Sequence, residues 1–84
     1  MSETLSVRLE RRFRQELIET AIETAGSKYA LAMALGYLSK GSGKTINEWL
    51  EGRANIPYSK LEKLCEIARI PLSEALNHTT QKQH

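Results

Sequence analysis

No aspartate occurs in this chain: all ten acidic residues are glutamate. Glutamate suits helix interiors while aspartate suits caps and turns, so the absence points to a mostly helical protein. A single cysteine, Cys65, excludes an internal disulfide framework and fits a reducing compartment. No apolar run approaches the length of a membrane span, and the chain is charged from Glu3, unlike a signal peptide. A cytoplasmic location and no membrane partner are therefore expected. The two histidines, His78 and His84, stand in a polar tail without a nearby cysteine or carboxylate set, so no metal site or cofactor is expected. No nucleophile, base and orienting group can be assembled, so neither an enzyme nor a small-molecule substrate is expected.

What is present is an ordinary globular composition over 84 residues, 40% apolar and 26% charged, enough for one domain with a modest core. The net charge of +2 is compatible with a nucleic-acid partner, but the placement of the charges matters more than their sum. Leu5, Val7 and Leu9 alternate with Ser6 and Arg8, the period of a short strand. From Glu10 the period changes: Phe13, Leu17, Ala21 and Ala25, flanked by Ile18 and Ile22, form one apolar stripe. This predicts helix 1 over 10–25, closed by Gly26. Ser27 is a good cap for helix 2 over 27–35, with Ala30, Leu31, Ala34 and Leu35 inward and Gly36 as its stop. Ser42 caps a third helix over 43–51, whose apolar side is Ile46, Trp49 and Leu50 and which ends at Gly52. A fourth helix starts at Tyr58 or Ser59 and runs to about Arg69, burying Leu61, Leu64, Cys65 and Ala68. Pro71 opens a short fifth helix carrying Leu72, Ala75 and Leu76. The expected organisation is an extended segment over 1–9, a five-helix domain over 10–76 and a disordered polar tail over 77–84.

Helices 2 and 3, two short helices joined by a Gly-containing turn, have the layout that places a recognition helix in the DNA major groove. From 27 to 76 the chain resembles the phage-repressor (Cro-like, or Xre) helix-turn-helix family. The matching features are the cap and Leu-Ala pair of SKYALAMALG, the frame of Thr45, Ile46, Trp49 and Gly52 in KTINEWLEG, the proline of RANIP, and the closing LCEIARIPLSEAL. The resemblance covers about fifty residues. It implies an all-α, five-helix, lambda-repressor-like domain that binds double-stranded DNA as a transcriptional regulator, most simply a repressor acting as a homodimer. Two departures stand out. The turn from Gly36 to the Trp49 position is about four residues longer than usual for such a motif, and Leu50 replaces a common glutamate.

On a helix, residues 44, 47, 48 and 51 share one face. Here they are Lys44, Asn47, Glu48 and Glu51, opposite the apolar side. Lys44 suits guanine O6 and N7, Asn47 suits adenine, and Glu48 accepts from cytosine N4. The resemblance places Gly43, Lys44 and Glu48 at base-facing positions. On an isolated helix Lys44 and Glu48 would be an ordinary ion pair one turn apart; the surrounding frame tips the reading toward the groove. The resemblance puts Lys28, just after the cap of helix 2, against a phosphate, where the helix dipole assists. Arg53, Asn55 and Lys60 are candidates for the backbone on the other side of the groove. Lys40, Ser42 and Thr45, in the turn and at the start of helix 3, complete the phosphate set.

Arg8, Arg11, Arg12 and Arg14 form the densest basic run, diluted by Glu10 and Glu16. It suits an arm on phosphates or in a minor groove and a solvated helix start equally well. LSVRL before a helix is also similar to ribbon-helix-helix repressors, with Ser6 and Arg8 outward, and such a strand can pair across a dimer axis. Leu5 to Leu9, and Leu72 with Leu76, are the candidate dimer surfaces. KGSGKT is not a P-loop, because Leu38 holds the place of its first glycine and no buried strand precedes it. The rival function is a protein-interaction adaptor on the same helices, favoured by Glu48 and Glu51.

Overall fold

A computed structural model describes residues 6–37 and 42–79, with Ser42 described by its backbone alone. The described residues are mostly helical, with one small two-stranded sheet among them. Its elements run β1 (Ser6–Val7), α1 (Arg11–Ala25), α2 (Lys28–Ala34), α3 (Ser42–Glu51), β2 (Ile56–Pro57), α4 (Tyr58–Ala68) and α5 (Leu72–Leu76). Each of the five expected helices is present, within a residue or two of its expected span.

The helix ends follow local chemistry. The Ser27 hydroxyl accepts from the Ala30 N–H at 3.0 Å, satisfying one of the unpaired donors at the start of α2. Gly26, Gly36 and Gly52 follow α1, α2 and α3, all at positive φ. Arg69 closes α4 in the left-handed conformation at φ 62°, and the Ile70 N–H reaches back to the Cys65 carbonyl at 3.0 Å. Ser42, expected as a cap, is instead the first residue of α3. Pro71 is the cap of α5 rather than its first residue.

The core is built where the apolar stripes meet. Leu17, Ile18 and Ala21 of α1, Leu31 and Ala32 of α2, Ile46 and Trp49 of α3, Leu61, Leu64 and Cys65 of α4, and Ala75 of α5 are buried together. α1 lies at the centre of the packing, against α2, α3 and α4. α2 and α3 also pack directly on each other. Leu50 is half-buried against this core, so it closes the packing at the end of α3 rather than leaving an apolar surface.

The expected strand is shorter than its alternation suggests, and its partner lies within the chain. β1 pairs antiparallel with β2, Ser6 opposite Pro57 and Val7 opposite Ile56. Proline lacks an N–H, which suits it to the edge of such a ladder. Residues 77–79, expected in the polar tail, are part of the folded domain. Asn77 caps α5, His78 stacks on Phe13, and Thr79 forms a β-bridge with Leu9. Polar composition did not set these three residues free, because the Glu10 N–H donates to the His78 carbonyl at 2.7 Å and ties them to the start of α1.

Candidate nucleic-acid interface

α3 divides cleanly by face. Ile46 and Trp49 are buried, while Lys44, Asn47 and Glu51 are exposed and Gly43, Thr45 and Glu48 are half-buried. This is the 3.6-residue period with one side in the core. Among the described residues, no ion pair joins Lys44 to Glu48, so the Lys44 ammonium is not committed to its neighbour one turn on.

α2 contributes to the same surface. The Lys28 ammonium donates to the Asn47 side-chain oxygen at 2.7 Å, a bond between exposed groups. Residues from two separate sets, one expected at a phosphate and one at a base, are thus brought together. The bond engages the amide oxygen of Asn47, while its N–H₂ remains a possible donor. Tyr29 and Met33 of α2 are 63% and 40% exposed.

The segment after α3 places the remaining candidates. Arg53 pairs with Glu51, both side chains being largely exposed. Asn55 accepts from Arg8 at 3.2 Å, and Arg8 also donates to the Gly52 carbonyl at 3.1 Å. Arg8 therefore grips the loop that ends α3.

Lys60, another of the phosphate candidates, is half-buried. Its ammonium donates to the Leu35 carbonyl at 2.9 Å and lies 4.9 Å from the centre of the Tyr37 ring. A cation there satisfies the carboxyl end of α2, where the helix dipole is negative. Tyr37 in turn meets Trp49 with ring centres 6.1 Å apart, and burial pushes its phenol pKa up. Lys60 is thus a structural clasp between α4, α2 and the Trp49 side of α3. Lys40 and the side chain of Ser42 fall outside the described residues, as does most of the lengthened turn.

Sequence reasoning left Arg14 in an undifferentiated basic run. It is 8% exposed, the one buried charged side chain among the described residues, and donates to the Leu9 carbonyl at 3.1 Å. Its position among the inward residues of α1, next to Phe13 and one turn before Leu17 and Ile18, was the available signal. Cys65 is buried as its helix face implies, and burial pushes its thiol pKa up, the state of an inert core thiol.

The described residues contain no group of His, Cys, Asp or Glu side chains arranged to hold a metal ion. None of the described helices is long and apolar enough to cross a membrane. No family model matches this chain, and neither a curated protein nor a solved structure matches it.

Proposed function

We propose that this chain binds duplex DNA sequence-specifically as a small transcriptional regulator, with α2 and α3 forming a helix-turn-helix and α3 entering the major groove. The observation that carries the reading is the division of α3: Ile46 and Trp49 anchor one face in the core, while Lys44 and Asn47 stand exposed on the other. Lys28 supports it by reaching from α2 to Asn47. In this reading Gly43, Lys44, Asn47 and Glu48 face base edges, with Asn47 acting through its amide N–H₂. Lys28, Thr45, Arg53 and Asn55 face the phosphates. Repression follows from occupying a promoter, and a homodimer reads two half-sites about 34–36 Å apart. Glu48 and Glu51 of α3, with the exposed Tyr29 and Met33 of α2, favour a second reading, in which these helices dock a protein.

Fluorescence anisotropy of a labelled mixed-sequence duplex, titrated with the protein at several salt concentrations, tests the proposal. Binding is expected to weaken steeply with salt, at two chains per site. Lys28→Ala should lower the salt slope by about 1, and Lys44→Ala should weaken binding about tenfold. Absence of binding at low salt overturns the DNA reading, whereas salt-insensitive capture of a protein partner supports the second.

A further inference from the structure

The start of α1 runs against its own electrostatics. Arg11, Arg12 and Arg14 open the helix, and its first turn contains no acidic residue. The amino end of a helix already carries positive partial charge, so cations there are disfavoured. Arg11 and Arg14 nevertheless line the same cleft as Arg8 and Gln15, an open space of ≈ 630 Å³ whose other wall is the end of α3 at Leu50, Glu51 and Gly52. Glu19, one turn beyond Gln15, stands at the same cleft.

Arg14 is the critical group. A guanidinium has five N–H donors. Among the described residues, that of Arg14 bonds the Leu9 carbonyl through Nη1, and its Nε is shut off from solvent with no hydrogen-bond partner. Burial first, then the charges of Arg8 and Arg11, hold its pKa below the usual arginine value. No carboxylate among the described residues pairs with Arg11 or Arg14, and Glu51 across the cleft is held by Arg53. Arg8 is fixed in place by its bonds to Asn55 and Gly52. Gly52 keeps the wall thin: a Cβ there would lie 2.9 Å from Arg14 Nη2. Three guanidiniums are therefore gathered near the amino end of α1, and the buried one, Arg14, lacks a counter-charge among the described residues.

We infer that this cleft between the start of α1 and the end of α3 binds a phosphate group, held by Arg8, Arg11 and Arg14 with Gln15 at its edge. Guanidinium forks match the paired oxygens of a phosphate, and its charge relieves the repulsion among the three arginines. A carboxylate offers two oxygens and a single charge, a poorer match to the forked donors of Arg11 and Arg14. The phosphate belongs either to a small molecule or to a nucleic-acid backbone, and the chemistry of the site is the same for both. The inference does not depend on α3 reading DNA.

Titration of the full chain with inorganic phosphate at constant ionic strength, chloride making up the balance, provides the test. The backbone amide resonances of Arg11, Arg14, Gln15 and Gly52 should shift saturably, and the thermal midpoint should rise as phosphate fills the site. Arg11→Gln is the informative variant, because Arg11 is exposed and its loss leaves the bond from Arg14 to Leu9 in place. It should weaken phosphate binding about tenfold, while Arg12→Gln, which faces the separate crevice beside Phe13 and His78, should change it less than about twofold. Unsaturable shifts, equal loss in both variants, or equally tight binding of acetate would overturn the inference. If duplex DNA moves the same resonances and competes with phosphate, the occupant is a backbone phosphate. If DNA leaves them unmoved, or the chain binds no DNA while phosphate still saturates, the occupant is a small phosphate-bearing ligand.

Discussion

Gly52 meets two demands at once. Its φ of +77° is one that a side chain resists, and the guanidinium of Arg14 lies against the place where a Cβ would stand. Arg14 has little room to yield, since it is buried and tethered to Leu9. Gly52→Ala should therefore destabilise the protein by about 1–3 kcal/mol, read as a lower urea midpoint with an unchanged slope. A loss below about 0.5 kcal/mol would mean that the guanidinium moves aside and the left-handed strain is relieved locally. At this scale the sequence was partly legible. Ile46 and Trp49 declare themselves as core by spacing alone, and Gly52 by its place after a helix. The roles of Arg14 and Lys60 were not legible, because what they touch lies far along the chain. A basic residue on a helix is read as solvated until a distant element covers it, as the end of α3 covers Arg14 and the Leu35 carbonyl receives Lys60.

Elements are legible where their ends carry local chemistry. Ser27 is the clearest instance: a hydroxyl just before an apolar-periodic run announced a helix start, and it accepts from the Ala30 N–H. Ser27→Ala should cost about 1 kcal/mol of stability, while Ser27→Asp, which retains an acceptor and adds charge at the helix start, should stay within about 0.5 kcal/mol of the parent. Equal losses in the two variants, in thermal or urea unfolding, would show that the side-chain cap is not what sets the start of α2. β2 had no such signal. Ile56–Pro57 is two residues long and contains a proline, so nothing local marks a strand; only the arrival of β1 makes it one. For the same reason the alternation of Leu5 to Leu9 announced a strand without announcing its partner. The candidate interface follows this pattern. Periodicity exposed the two faces of α3, but the bond from Lys28 to Asn47 depends on how α2 and α3 pack, which no spacing within either helix encodes.

Over the whole molecule, the beginning and end of the described chain are fastened to each other. β1 leads into Leu9, which bridges Thr79; the Glu10 N–H donates to the His78 carbonyl; and the His78 ring stacks on Phe13 with centres 4.4 Å apart and planes within 8°. His78 Nδ1 also lies 3.1 Å from the Glu10 carboxylate. The contacts join the start of the central helix to the residues just after α5, so the C-terminal residues help to hold α1 against the body of the domain. The stack is an apolar component of this fastening, while the Glu10 contact joins half-exposed groups that water screens. A chain ending at Asn77 should therefore lose about 2 kcal/mol and show a thermal midpoint lower by roughly 8–16 °C. His78→Phe retains the ring while removing the polar contact, and should cost less than about 1 kcal/mol. Calorimetry on the two variants separates the contributions. If the phenylalanine variant falls as far as the truncated chain, the carboxylate contact rather than the stacked ring secures the end of the domain.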